Sequence, residues 1–389
     1  MTYQGDRPFS VPQEISTMLQ SLEIENFRQF SHFTIPKLGR INLLTGKNNS
    51  GKTSVLEAIY LLMTQEHPAQ SIVNLHINRG EVSPLGNSGE YVNSREYIAE
   101  ITHLFNNRNV NNGEVVRILG LHQEGTKESI SIQIDTSQKG GLKLHSLSDI
   151  RKETWPKLLL EKQDQNFGSL LYSVDISPDF KIPFDRSLYS QDSSPYDQDL
   201  EFLVSTALNS EKVAKLFDEI VLTPKEDLVI EAIQIIEPKI RRIAPDHGKF
   251  ERVNLSSRQG FLIQLRDENN RNPMGSMGDG IWRLLGIALT MVNAKGQVLL
   301  IDEIDTGFHY SVMIDLWKFI WKSAKKLDIQ VFATTHSRDC WEALGELIEA
   351  EEIYDDEIMI HRIDAKRDHS TSYDTDKIVI AVEDQVEVR

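Results

Sequence analysis

Apolar and polar positions alternate through Leu19, Leu22, Ile24 and Phe27 of MLQSLEIENFRQF, and RINLLTG follows as a short apolar run closing on a glycine. Both patterns predict strands. Directly behind the glycine-containing turn, KTSVLEAIYLLM sets Val55, Leu56, Ile59, Leu62 and Met63 at helical spacing. Strand, turn and helix thus stand in the order that a phosphate-binding loop requires.

From about residue 95 to 145 the chain reads as a meander of strands with Asn- and Gly-rich turns. From about 150 to 245 charged and apolar residues mix in WPKLLLEKQ, LEFLVSTALNSEKVAKLFDEIVL and EDLVIEAIQIIEPKIRRI, around the polar stretch SLYSQDSSPYDQDL. That texture predicts an inserted helical lobe, and without a sustained heptad it predicts no long coiled-coil arm. After FLIQLRDENN come GSMGDG, the helical run IWRLLGIALTMVN, the strand QVLLID, the helix SVMIDLWKFIWKSAKKL and the strand QVFATTH. This alternation predicts a layered α/β core with a parallel sheet. The expected organisation is a loose tail over 1–17, an N-terminal lobe over 18–149, the helical insertion over 150–245 and a C-terminal lobe over 246–389.

Composition narrows the partners. With 389 residues, 40% of them hydrophobic, the chain has enough apolar material for a sizeable core. A net charge of −16 argues against a surface generally attractive to DNA phosphates, although a local basic groove stays open. The single cysteine, Cys340, excludes an intrachain disulfide framework and suits a reducing, cytoplasmic compartment. No stretch approaches the ~20 apolar residues of a membrane span, and the first 17 residues lack the apolar region of a signal peptide, so no membrane association is expected.

Four segments carry candidate chemistry. Gly46-Lys47-Asn48-Asn49-Ser50-Gly51-Lys52-Thr53 matches GxxxxGK[ST], whose backbone N–H groups surround phosphates; Lys52 is placed to neutralise β/γ oxygens and Thr53 to ligate Mg²⁺. The apolar strand Val298–Ile301 ends in Asp302 and Glu303, a carboxylate for Mg²⁺ followed by one that polarises water. His336, in TTHS at the end of the next apolar strand, is placed to contact the γ-phosphate or orient the attacking water. Ser276-Met277-Gly278-Asp279-Gly280 opens a helix and forms a second anion site; since the first loop already holds phosphates, it suits the γ-phosphate of a partner subunit.

In the order NFR, GKNNSGKT, SMGDG, LLIDEIDTG, TTHS, the sequence resembles the ABC-like ATPases of the RecF, SMC and OLD group, specifically stand-alone AAA-type ATP-binding proteins without a Toprim domain. The resemblance covers the chain to about residue 75 and again from about 255 to 340. It implies a P-loop NTPase head with an antiparallel β subdomain, using ATP and Mg²⁺. It likens Gly46, Asn48, Asn49, Ser50, Gly51, Lys52, Thr53 and Ser54 to a Walker A loop, and Asp302 and Glu303 to Walker B and its catalytic glutamate. It likens His336 to a switch histidine, Ser276, Gly278 and Gly280 to a signature loop acting across a dimer, and Asp305 to a D-loop. Met277-Gly278-Asp279 departs from the usual signature. Arg28, in the NFR turn, reads equally as a phosphate or adenine contact and as an ordinary surface arginine.

No NKxD-type guanine reader is present, so ATP is the expected nucleotide, and SMGDG with TTHS favours a head-to-tail dimer of this chain over a ring-forming motor. Two roles stay open: a switch for a separate effector such as a Toprim-type nuclease in anti-phage defence, or a RecF-like DNA-repair clamp. The clamp would call on a basic strip of Arg241, Arg242, Lys249 and Arg252, while Glu351, Glu352, Asp355, Asp356 and Glu357 read as a solvated acidic face.

Overall fold

A computed structural model describes residues 18–64, 68–84, 96–110, 113–136, 156–165, 168–185, 201–203, 210–246, 260–266, 270–294, 297–353 and 357–388. The expected tail 1–17, the polar stretch 187–200, and Lys249, Arg252, Asp355 and Asp356 lie outside them.

At the centre stands β3 (Ile41–Thr45), with β15 (Val298–Ile301) and β16 (Gln330–Thr334) on one side and β17 (Ile358–Arg362) on the other. These strands pair in parallel; β11 (Glu201–Leu203) adds a parallel edge beside β15, and β18 (Thr371–Tyr373) an antiparallel edge beside β17. Every residue of β3, β15 and β16 is buried, the signature of a parallel sheet covered on both faces. Successive side chains enter opposite cores: Leu43, Leu299, Ile301 and Val331 face one, Leu44, Leu300 and Phe332 the other.

The second core lies under α1 (Lys52–Met63), α2 (Pro68–Arg79) and an antiparallel sheet. That sheet runs β2 (Phe30–Ile35), β1 (Leu19–Phe27), β6 (Val115–His122), β7 (Lys127–Asp135), β8 (Lys157–Asp164), β9 (Gly168–Asp175). A three-stranded sheet of β4 (Val82–Pro84), β5 (Glu96–Glu100) and β10 (Lys181–Asp185) adjoins it.

The first core is helical. It gathers residues of α3 (Ser210–Asp218), α4 (Pro224–Ile233), α5 (Asp279–Asn293), α6 (Met313–Leu327), α7 (Arg338–Ala350) and α8 (Thr375–Glu383), with a small sheet of β12 (Ile240–Pro245), β13 (Phe261–Leu265) and β14 (Arg271–Pro273). Trp317 and Trp341 are fully buried within it, and Trp317 Nε1 donates to the carbonyl of Cys340 at 2.9 Å. A local signal sets the start of α4. Thr223 caps α4 by accepting the Lys225 amide at 3.3 Å, with Pro224 opening the helix.

The helical lobe expected from residue 150 is corrected over 157–185, where the chain forms β8, β9 and β10. Leu158, Leu160 and Lys162 point inward and Leu159 outward, so a buried lysine and an outward leucine hide the period of two. Lys162 is tolerated inside because Glu128 meets its ammonium at 2.8 Å, and His122 meets the same carboxylate at 3.1 Å. Among the described residues of this span, helices begin at Ser210, and Glu201–Leu203 and IRRI lie in the strands β11 and β12.

Candidate nucleotide site

The loop 46–51 leaves the C-terminal end of β3, and α1 begins at Lys52. In an open parallel sheet, ligands bind beyond the carboxyl ends of the strands. The loop needs its glycines. Gly46 has φ 139° and Gly51 φ 108°, and a Cβ on Gly51 would overlap the side chains of Gln29 and Phe30. Asn49 also takes a positive φ, 60°, which asparagine tolerates better than most residues.

Around this loop lies a cleft of about 680 Å³. Asn48, Asn49, Ser50, Gly51, Lys52, Thr53 and Ser54 line it, together with Asp302, Glu303 and His336 from the ends of β15 and β16. The fold thus gathers residues about 250 to 280 positions apart in the sequence into one cleft. Lys52 Nζ donates to the carbonyls of Gly46 at 2.8 Å and Lys47 at 3.0 Å, so its charge sits inside the loop. Burial pushes its pKa down, against the pull of Asp302, Glu303 and Asp305. Ser50 Oγ is buried without a hydrogen-bond partner among the described residues, 2.8 Å from where a Cβ on Gly46 would stand. A phosphate oxygen would satisfy that hydroxyl.

Thr53 Oγ1 donates to Asp302 at 3.2 and 3.3 Å. Two hard oxygen ligands at this separation stand slightly beyond the ~3.0 Å edge of an octahedron with bonds of about 2.1 Å, so a small closing movement would let both reach one Mg²⁺. Glu303 follows with a left-handed backbone, φ 51°, a conformation uncommon outside glycine, and its Oε2 accepts from Thr306 Oγ1 at 3.2 Å. His336 is exposed at the rim.

Ser276, Gly278, Gly280 and Asp305 lie apart from this cleft lining. Ser276 and Gly278 are exposed ahead of α5, where Ser276 Oγ donates to the Pro273 carbonyl at 2.7 Å. Gly278 has φ 91°. Gly280 packs on the turn after β15, where an added Cβ would stand 2.9 Å from the Gly307 carbonyl. Asp305 is held from behind, its Oδ1 accepting from Thr335 Oγ1 at 2.6 Å.

Arg28 is corrected on both of its readings. It is neither a surface residue nor part of the cleft lining: it is 7% exposed, with Nε 3.0 Å from Glu57 and Nη1 2.8 Å from Glu81. Its role is to neutralise a carboxylate buried on α1.

Sequence reasoning passed over Gln29, Glu57, Asn78, Arg79 and Thr334, all of which line the cleft. Arg79 bonds Glu57 at 2.5 Å through Nε and Ser54 Oγ at 3.0 Å through Nη2. Burial works against its charge, but Glu57, with Glu81 and Asp302 beyond, outweighs it and holds the pKa above the usual arginine value. One signal was readable: Glu57 is a lone acid in the apolar run VLEAIYLLM, one turn beyond Thr53. Arg79 has no such local mark.

Residues 41–339 match the family described as "AAA domain, putative AbiEii toxin, Type IV TA system". An ATP/GTP phosphatase of Helicobacter pylori is 24% identical over 346 residues, spanning 85% of this chain and 88% of that protein. A DNA replication and repair protein RecF of Idiomarina loihiensis is 50% identical over 44 residues, 11% of this chain and 12% of that one. Among solved structures, an Smc head bound to the C-winged helix domain of ScpA aligns with a TM-score of 0.47 at 12% identity, covering 92% of this chain and 98% of that one.

Proposed function

The chain belongs to this AAA-domain family and is an ATPase, and on that premise we propose that it hydrolyses Mg-ATP at a site completed by a second copy of itself, acting as a switch for a separate effector protein. The observation that carries the reading is the meeting of Thr53, Asp302, Glu303, Lys52 and His336 in one cleft while the Ser276–Gly280 loop does not line it. A Gly-rich helix start of this kind suits phosphate, and a second chain placed head-to-tail would bring it to the γ-phosphate.

In this reading, the amides of the 46–53 loop and the ammonium of Lys52 hold the phosphates. Thr53 and Asp302 hold Mg²⁺, which when bound neutralises phosphoryl oxygens. Glu303 accepts a hydrogen bond from the water that attacks the γ-phosphorus, and His336 orients that water as the bond to the β-phosphate oxygen breaks. The products are ADP and inorganic phosphate. A net charge of −16 supports a protein effector over DNA as the target. Arg241 and Arg242 are exposed on β12, and a DNA arm in the experiment below tests the clamp reading through them.

The test is the solution mass of Glu303→Gln with and without Mg-ATP, alone and with short duplex DNA. Doubling that needs ATP and ignores DNA is expected; doubling only with DNA transfers the function to a DNA clamp, and no ATP-dependent change removes the dimer.

A further inference from the structure

The helix that follows the Ser276–Gly280 loop also reaches back to the acids of its own chain. Arg283, on α5 and 7% exposed, donates from the single nitrogen Nη2 to the carbonyl of Asp302 at 2.8 Å and to that of Glu303 at 2.6 Å. Those two carbonyls lie on either side of the Glu303 Cα, where the chain leaves β15 with a left-handed backbone. One turn earlier on α5, Gly280 packs against the Gly307 carbonyl so closely that no side chain fits between them. The first turn of α5 therefore bears on the 305–307 turn, and its second turn holds the acid pair.

We propose that Arg283 is a positioning residue for hydrolysis, holding the main chain of Asp302 and Glu303 and making their geometry depend on where α5 and its Ser276–Gly280 loop sit. The inference rests on the head-to-tail reading for its second half. Engagement of the loop by a partner's nucleotide then reaches the chain's own Glu303 through a buried guanidinium, so that each site answers to the other. The planar nitrogen supplies one hydrogen to each of two consecutive carbonyls, a match that an apolar side chain of similar length cannot offer. Displacement of a catalytic carboxylate by about 1 Å is enough to cost roughly a hundredfold in rate.

The experiment compares wild type, Arg283→Lys, Arg283→Met, Ser276→Arg and the double variant Ser276→Arg/Arg283→Met by steady-state ATP turnover and by titration with a fluorescent ATP analogue. Arg283→Met is expected to lower kcat by roughly tenfold to a hundredfold, with nucleotide affinity held within about twofold. Arg283→Lys, which keeps a cationic donor, is expected to recover most of the turnover. The double variant is expected to be no slower than its slower parent, because both changes break one connection. Wild-type turnover in Arg283→Met, or a loss of affinity as large as the loss of kcat, overturns the proposal. Fully multiplicative losses in the double variant overturn its link to the loop. Should Arg283→Met not fold, Arg283→Gln decides in its place: lowered kcat at unchanged affinity supports the role, and unchanged kcat removes it. Failure of Glu303→Gln to dimerise with Mg-ATP is a separate result. It takes away the dimer and with it the link to the loop, while the kcat of Arg283→Met still reports on the hold over the acid pair.

Discussion

Thr334 Oγ1 donates to Asp302 Oδ1 at 2.5 Å and accepts the amide of Glu303 at 2.8 Å, so one hydroxyl on β16 fixes both acids at the end of β15. Thr53 meets the same aspartate from the side of α1. Asp302 is thereby held between two threonines, and Glu303 is held at its amide by Thr334 and at its carbonyl by Arg283.

Thr334→Val keeps the shape of the side chain but leaves Asp302 Oδ1 to the longer 3.3 Å bond from Thr53 and strands the Glu303 amide. The expected result is a loss of about 1–3 kcal/mol in unfolding free energy and a kcat at least roughly tenfold lower, with Thr334→Ser close to wild type. Urea unfolding and ATP turnover measure the two effects. A fully active, fully stable Thr334→Val would show that the hydroxyl organises nothing.

Arg28→Met removes one of the two guanidiniums that neutralise Glu57, whose side chain is 2% exposed. Breaking a buried pair from one side costs about 3–5 kcal/mol, and the double variant Arg28→Met/Glu57→Leu should recover part of that loss. Equilibrium unfolding tests this, and a double variant as unstable as the sum of its parents would rule out the pairing.

Gly280→Ala forces a methyl to within 2.9 Å of the Gly307 carbonyl. A backbone atom cannot rotate away, so α5 or the 305–307 turn must shift, at about 1–3 kcal/mol. Turnover should fall while affinity for ATP, held by the 46–53 loop, stays unchanged. Loss of ATP binding instead would place Gly280 in the nucleotide cleft of its own chain.

Burial pushes the imidazole of His361 down to about 3 from 6.5. It is neutral in the folded protein, bonded to Ser372 Oγ at 2.9 Å and to Asn42 Oδ1 at 3.1 Å. Below pH 6.5 the unfolded chain takes up a proton that the folded one refuses, so stability is complete above 6.5 and declines as the pH falls toward 3. The slope from this residue approaches about 1.4 kcal/mol per pH unit. Denaturation between pH 8 and pH 5 should show it, and His361→Gln should flatten it while lowering stability at pH 8.

The sequence by itself determined the loop 46–53, the strand that ends in Asp302 and Glu303, and, to within two residues, the helices it placed over 281–293 and 311–327. In each of these the signal is contiguous: glycines where the backbone needs positive φ, apolar runs where a strand is buried on both faces, and helical spacing where one stripe is buried. Tertiary structure decided what depends on partners distant in sequence. Residues 157–164 became a strand because Glu128 receives Lys162 inside the sheet. Arg28 was drawn into the core by Glu57 and Glu81, and Arg283 and Thr334 acquired their places only when α5 and β16 closed around the acid pair. A buried charge or hydroxyl takes its meaning from the group that satisfies it, and that group is named by the fold.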